Sequence, residues 1–209
     1  MKGFFLIFKF SNCQIDSFQI TKCMITQAEL IKQISNTIGK MKVVELSRIL
    51  KEQAFALHDL IDLTFHPDKN IAFRAAWILE NLFLKSPRLY SQDLPYLIAR
   101  IKDVKHASCQ RHYAKIIMHV TSKKAPAEIQ KIMQEIDLEP VVEQCFDWMI
   151  DTNVKIAVKV FSSEALFNLK DRYPWIKDEL ANEIRFLMRN GTAGIQVRGR
   201  KLLAMLAVS

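Results

Sequence analysis

One segment of the sequence is apolar on two opposite sides of a predicted helix, which limits the folds that the chain can adopt. The segment HPDKNIAFRAAWILENLFLKSP (66–87) opens with a helix stop and a new start, and it predicts a helix over 69–85. On a helical wheel, one face carries Ile71, Ala75, Ile78, Leu79 and Leu82, and the opposite side carries Phe73 and Trp77. Because a surface helix needs only one apolar stripe, we expect this helix to be packed between neighbours, with Arg74 leaving through the narrow gap between the stripes.

The rest of the chain predicts a series of long helices. Only five Gly and six Pro interrupt the 209 residues, which is too few for a fold of strands and tight turns. From Thr26 onward, amphipathic helical patterns follow one another. The predicted helices cover about 26–39, 42–65 with a break near 51–53, 69–85, 93–102, 108–120, 127–136, 139–150, 153–169, 175–189 and 193–209.

Three later segments repeat the pattern of the doubly apolar helix. They are HASCQRHYAKIIMHV, NVKIAVKVFSSEALFNL and GIQVRGRKLLAML, and the starts of successive segments lie roughly 36, 47 and 41 residues apart. A period of about 35 to 47 residues with helix pairs is typical of an α-solenoid, because one helix pair cannot bury its own apolar face and must stack on its neighbours. The predicted fold is therefore all-α, an α-solenoid of stacked antiparallel helix pairs.

The sequence resembles HEAT and armadillo repeats. FRAAW (73–77) after DKN, and VRGRKLLAML (197–206) after GIQ, are similar to the D-x-x-V-R-x-x-A-x-x-A-L pattern at the start of the second helix of a HEAT repeat. The resemblance covers about residues 26–209 and implies about four to five HEAT-like repeats in one domain, 24–209. In such repeats the early Arg often joins a ladder of polar contacts between neighbours, which implies that role for Arg74 and Arg198. The middle repeats depart from the pattern, with Gln110 and Lys155 near the position of the Arg.

The first 23 residues precede the repeat pattern. Their apolar run, 3–8, is interrupted by Lys9 and is too short for a signal-peptide core or a membrane span. We interpret 1–23 as a peripheral N-terminal extension or as the product of a mis-called translation start.

The chain has four cysteines and no C-x-x-C pair: Cys13, Cys23, Cys109 and Cys145. We therefore expect reduced thiols, a cytoplasmic location and no membrane association.

The net charge favours an anionic partner without identifying it, since Lys and Arg exceed Asp and Glu by eight. Stacked second helices are expected to line the inner, concave wall of a solenoid. The candidate binding residues are the basic side chains in the predicted second helices: Arg74, Arg111, Lys115, Lys155, Lys159, Arg198, Arg200 and Lys201. One exposed patch of these residues would favour nucleic acid, whereas dispersal or pairing with carboxylates would favour a protein scaffold.

Three other groups of residues carry weaker predictions. Four potential zinc ligands lie on or beside one predicted helix: His106, Cys109, His112 and His119. They do not converge on a tetrahedral ion, so we predict no metal site. An acidic stripe recurs every four residues and predicts a solvated face: Glu139, Glu143, Asp147 and Asp151. The three tryptophans are expected to pack in the core or between repeats: Trp77, Trp148 and Trp175.

No motif for catalysis or for a cofactor is present, such as a Gly-rich phosphate loop, G-x-S-x-G or H-E-x-x-H. We therefore predict a non-enzymatic scaffold that binds a protein or peptide on the concave face. The alternative is a basic nucleic-acid-binding protein related to the small HEAT-like DNA-alkylation-repair glycosylases. Trp148 with Asp147 or Asp151 is the nearest match to the aromatic residues and carboxylate of those enzymes. The apolar run LLAML (202–206) also leads us to expect a homodimer through the last helix.

Overall fold

The structure is a computed structural model that describes residues 25–36, 39–52 and 55–208. All regular elements in these ranges are helical. The N-terminal extension predicted over 1–23, with its two cysteines, lies outside the described residues, as does the end of the break predicted near 51–53.

Eleven α-helices follow one another in the described ranges. They are α1 (Gln27–Ser35), α2 (Lys40–Glu52), α3 (Leu57–Leu63), α4 (Lys69–Lys85), α5 (Leu94–Ala99), α6 (Ala107–Val120), α7 (Ala127–Glu135), α8 (Glu139–Ile150), α9 (Ile156–Leu169), α10 (Ile176–Arg189) and α11 (Ala193–Ala207). Two 3-10 segments, Pro87–Asp93 and Ile101–Asp103, flank α5. The α-helix predicted over 93–102 is therefore too long, because the chain tightens into a 3-10 turn at Arg100 (φ −92°, ψ 1°).

Side chains fix the starts of two helices. Thr26 accepts a hydrogen bond from the N–H of Glu29, and the Glu29 carboxylate accepts one from the N–H of Thr26, which is the capping box that TQAE predicts. Asp68 accepts a hydrogen bond from the N–H of Asn70 at the start of α4. Between α1 and α2, Gly39 adopts a φ of 84°, a conformation that glycine reaches at little cost.

The helices follow one another along the chain as five successive pairs, with α7 inserted between the third and fourth, and the two members pack directly on each other in the second, fourth and fifth pairs. The first helices of these pairs are α1, α3, α5, α8 and α10, and the second helices are α2, α4, α6, α9 and α11. Each second helix packs against the next, from α2 on α4 to α9 on α11. We call the surface formed by these five second helices the second-helix face. The described helices confirm the predicted solenoid, since each pair buries its apolar side against its neighbours.

Helix α4 is packed on several sides, as its two apolar stripes predict. It contacts α1, α2, α3 and α6. The first stripe is buried throughout: Ile71, Ala75, Ile78, Leu79 and Leu82. The second stripe remains partly accessible, because Phe73 and Trp77 pack on each other and on a ring of α6 at the border of the core.

Candidate functional site

The eight basic residues predicted from the sequence all lie on second helices or at their N-caps, but the structure divides them into two groups. Four have partners within the chain: Arg74, Lys115, Lys159 and Arg198. The other four are exposed, with no hydrogen bond or ion pair to any residue that the structure describes: Arg111, Lys155, Arg200 and Lys201. Binding by any of them stays a prediction.

Arg74 connects the second helix pair to the first. Its Nη1 atom lies 2.7 Å from the carbonyl oxygen of Ser35 and 3.4 Å from that of Ile34, both in the last turn of α1. The last carbonyls of a helix have no intrahelical partner and carry partial negative charge. The guanidinium therefore caps the end of α1, which is a contact between repeats of the kind that the resemblance implies.

Helix α9 and the turn after it cap helix ends in the same way. In α9, Lys159 Nζ donates to the carbonyl oxygen of Met149 in the last turn of α8 (2.7 Å), and Asn168 Nδ2 donates to that of Met118 near the end of α6 (3.1 Å). Just after α9, Arg172 donates to the carbonyl oxygen of Met133 in α7 (2.7 Å). Polar side chains of α4, of α9 and of the turn after α9 thus satisfy the carbonyl ends of earlier helices.

Lys159 is too enclosed to contact a partner without rearrangement. It is 5% exposed, and its ammonium is committed to the Met149 carbonyl. Burial raises the pKa of the nearby Glu183 carboxyl, and the charge of Lys159 offsets part of this rise. Arg198 is also committed, since its Nε pairs with the Glu164 carboxylate and joins α11 to α9. Both contacts stabilise the C-terminal pairs.

Three polar residues form a cluster between α4 and α6, in which Glu80 and His112 are buried and Lys115 is half-buried. Glu80 is 8% exposed, and its Oε2 lies 2.7 Å from Nδ1 of His112, which is 6% exposed. The other carboxylate oxygen, Oε1, accepts a hydrogen bond of 2.6 Å from Lys115 Nζ. Burial acts to raise the pKa of Glu80, but the hydrogen bonds from His112 and Lys115 outweigh it and hold that pKa below its ordinary value. The cluster therefore contains an ionised carboxylate.

The rings of Phe73 and Trp77 on α4 pack on the His112 ring of this cluster. The ring centroid of His112 lies 5.5 Å from that of Phe73 and 6.3 Å from that of Trp77, and the Phe73 and Trp77 centroids lie 5.6 Å apart. We call Phe73, Trp77 and His112 the aromatic platform. Phe73 and Trp77 are half-buried, so the platform keeps part of its apolar ring surface accessible, and Arg111, one residue before His112, is exposed.

The sequence alone did not predict this arrangement as a site. Phe73 and Trp77 were expected to be a packing stripe, and His112 was considered only as a metal ligand. Glu80 lies 32 residues before His112, so no local spacing connects them. The only available signal was Glu80 itself, an acidic residue in a gap between the two apolar stripes of the predicted helix. A buried carboxylate requires a partner from a neighbouring helix.

The structure bears on two of the weaker predictions. The acidic stripe is confirmed as a solvated face, since all four of its residues are exposed and Glu143 pairs with Lys102. Trp148 is buried as predicted, and Trp175 packs between repeats as predicted, since it stacks on Phe146 of α8 although it remains 52% exposed. Among the described residues, no group of three or more His, Cys, Asp or Glu side chains is arranged to hold a metal ion.

Comparison with known proteins gives one match. The sequence model of a family described as a HEAT repeat domain matches residues 30–206, which covers all but the first turn of α1 and the last residue of α11. Neither the curated proteins nor the solved structures contain a match to the chain. Within the described ranges, none of the helices combines the length and the apolar character needed to cross a membrane.

Proposed function

Because the chain belongs to the HEAT repeat family, we propose that it is a non-enzymatic scaffold that binds a segment of a partner protein on its second-helix face. Stacked helix pairs provide extended surfaces of the kind that protein segments bind. Two features of the charged residues support a protein partner over nucleic acid. Lys115 and Arg198 are paired with carboxylates, and Arg74 and Lys159 are used as helix caps.

The aromatic platform is the observation that carries this proposal. Phe73 and Trp77 remain partly accessible on α4, although the five apolar residues of the other stripe are buried. Tryptophan and tyrosine, together with arginine, dominate the binding energy of protein interfaces, because large rings exclude water at little cost in conformational entropy. Since Arg111, one residue before His112 on α6, is exposed, we expect an apolar segment with acidic neighbours to bind here.

A selection from a random peptide library displayed on phage tests the proposal. We expect enriched peptides to bind the native protein and to lose at least about tenfold in affinity towards Trp77→Ala, the loss typical of an aromatic hot spot. The matched control is Trp175→Ala, which removes an exposed tryptophan next to the first turn of α10. Failure to enrich any peptide, or equal binding to Trp77→Ala and the native protein, would reject the aromatic platform as the binding site.

A second candidate function is nucleic-acid binding, favoured by the four exposed and unpaired basic side chains named above and by the net charge of +8. Fluorescence anisotropy with single-stranded and duplex DNA at about 50 and about 200 mM salt tests it, since each phosphate contact steepens the salt dependence. Affinity that falls by a factor of ten or more over this range, and that falls again in Lys155→Glu and Arg200→Glu, would support this function. Absence of binding at the lower salt concentration would reject it.

Two further proposals concern assembly and location. Two leucines of the LLAML run, Leu202 and Leu206, are buried within the solenoid at 4% and 3% exposure. A homodimer through α11 is supported instead by apolar side chains that remain exposed at this end, namely Phe186 of α10 and Val197 of α11, which are 61% and 65% exposed. A cytoplasmic location is supported by Cys109 and Cys145, which are free thiols buried in the core.

A further inference from the structure

A cleft of about 350 Å³ lies between α8, the first turn of α6 and the loop before α6. We call it the α6–α8 cleft, and its volume falls within the range of ligand pockets. We propose that it binds the guanidinium group of an arginine side chain in a partner protein. The cleft is separate from the aromatic platform, because Phe73, Trp77 and His112 do not line it.

Two buried glutamine side chains of the cleft lack hydrogen-bond partners. Gln110, in the first turn of α6, and Gln144, in α8, are 9% and 7% exposed. Neither side-chain amide makes a hydrogen bond with a residue that the structure describes, and neither is sealed from solvent. Because a buried amide without a partner costs free energy, these two groups favour a ligand that supplies hydrogen bonds.

Two carboxylates determine the charge of that ligand. Asp147 has no hydrogen bond or ion pair with a described residue, and Asp151 accepts two hydrogen bonds from Asn153 through Oδ1 (2.8 and 3.1 Å), which leaves Oδ2 open. The pKa of Lys102 is raised mainly by its hydrogen bond to Glu143 and only secondarily by the charge of Asp147, so Lys102 is committed elsewhere. An ionised carboxylate accepts hydrogen bonds and donates none, so the cleft favours a cationic donor.

Arginine fits this set of acceptors better than lysine does. Its planar guanidinium carries five N–H donors, enough for two carboxylates and two amide oxygens together, whereas the lysine ammonium has three donors and is strongly hydrated. Val104 and Trp148, each 2% exposed, form the apolar part of the lining. The methylene groups of an arginine side chain can pack against such a surface while the charged end reaches the acceptors.

Lys105 is a competing cation within the chain itself. It lines the cleft, is exposed, and its ammonium has no hydrogen bond or ion pair with a described residue. Two carboxylates and one ammonium therefore face the cleft, which keeps a negative charge that a ligand can neutralise. Removal of this ammonium should strengthen the binding of arginine.

The test titrates three acetylated and amidated tripeptides into the full chain and follows the side-chain amide resonances of Gln110 and Gln144 by NMR. They are Gly-Arg-Gly, Gly-Lys-Gly, which has the same charge, and Gly-citrulline-Gly, which has nearly the same shape and no charge. We expect saturable shifts with the arginine peptide, an affinity about fivefold lower for the lysine peptide, and no binding of the citrulline peptide. Absence of binding by the arginine peptide, or an equal affinity for either of the other two, overturns the proposal.

Three variants at exposed residues connect the binding to the cleft. Asp147→Asn should lower the affinity for the arginine peptide about tenfold, the effect of one charge-assisted hydrogen bond, and Lys105→Gln should raise it at least twofold. The matched control is Glu139→Gln, which removes a carboxylate of α8 outside the cleft and should bind like the native protein. Equal losses in Asp147→Asn and Glu139→Gln, or no gain in Lys105→Gln, overturn the proposal.

Adenosine is the probe for a different occupant, because glutamine amides also form paired hydrogen bonds with adenine. We expect adenosine to leave the resonances of Gln110 and Gln144 unchanged in the native protein. Shifts with adenosine and none with the arginine peptide overturn the proposal in favour of a nucleic-acid base. The phage selection with Trp77→Ala does not depend on any of these results, so the scaffold proposal and the arginine site can fail separately.

Discussion

Arg74 of α4 donates a hydrogen bond of 2.7 Å to the carbonyl oxygen of Ser35, the last residue of α1. This contact places a basic side chain at the negative end of a helix dipole and joins two helix pairs. It also explains how an arginine can lie in a helix that is apolar on two sides. The guanidinium leaves the gap between the stripes and reaches the carbonyl end of the neighbouring pair.

Replacing this residue should weaken the N-terminal end of the solenoid. We expect Arg74→Ala to lower the free energy of unfolding by about 1–2 kcal/mol, because two carbonyl acceptors lose a charged donor. Urea denaturation measures the change. The control is Arg111→Ala, which removes an exposed arginine and should cost less than about 0.5 kcal/mol. Equal stability of the two variants would show that Arg74 does not cap α1.

The Glu80 cluster should make the fold sensitive to acid. The pKa of Glu80 is lower in the folded chain than in the unfolded chain, so its contribution to stability is complete above the unfolded value of about 4.3 and is lost as the pH falls below it. Thermal unfolding between about pH 7 and pH 3 should show a smaller loss of stability for Glu80→Gln than for the native protein. Glu80→Gln should start from a lower stability at pH 7, since Lys115 and His112 lose their anionic partner.

The matched control for the acid experiment is Glu139→Gln, which changes an exposed carboxylate of the acidic stripe. Its stability should follow that of the native protein at each pH. The role assigned to Glu80 would be wrong if Glu80→Gln and Glu139→Gln gave the same dependence on pH.

Two glycines of α11 should respond in opposite ways to the same substitution. A Cβ atom at Gly199 would lie 2.6 Å from Met188 Sδ and 3.1 Å from Ile184 Cγ2, so these side chains of α10 would have to shift. We expect Gly199→Ala to destabilise the protein by about 1–2 kcal/mol, even though Met188 can partly adjust. At Gly194 the nearest atom to such a Cβ is Thr192 Oγ1 at 3.9 Å, so Gly194→Ala should be neutral or stabilise by up to about 1 kcal/mol.

Urea denaturation of both glycine variants separates packing from helix propensity, because both residues lie in the same helix. If Gly199→Ala were as stable as Gly194→Ala, the close contact between α10 and α11 would not be present in solution.

Self-association through α11 should depend on its exposed apolar residues. Sedimentation equilibrium of the native protein should show a dimer at high concentration, and Val197→Asp should shift it to the monomer by placing a charge in the apolar contact. Ile150→Asp is the control, since it places the same charge at a residue of α8 that is 61% exposed. A monomer at every concentration of the native protein would exclude the dimer.

The helices and their stacking could be predicted because both depend on the period of apolar residues along the chain. The partners of the polar residues could not be predicted in this way. In the helical pattern of the sequence, Lys159 and Lys115 occupy positions that exposed lysines also occupy. In the structure, Lys159 donates to the carbonyl oxygen of Met149 in the preceding helix, and Lys115 donates to the carboxylate of Glu80, 35 residues earlier. A helical period determines the face on which a side chain lies, whereas the neighbour on that face depends on how the pairs stack.

Capping by later residues has a consequence for the order in which the protein can be completed on the ribosome. The end of α1 receives Arg74 only 39 residues after Ser35, and the end of α7 receives Arg172 39 residues after Met133. Helices α1 and α7 therefore emerge with open carbonyls at their ends and are capped only by residues that are made later. Synthesis should accordingly stabilise the ends of these two helices only after the chain that carries Arg74 or Arg172 has left the exit tunnel.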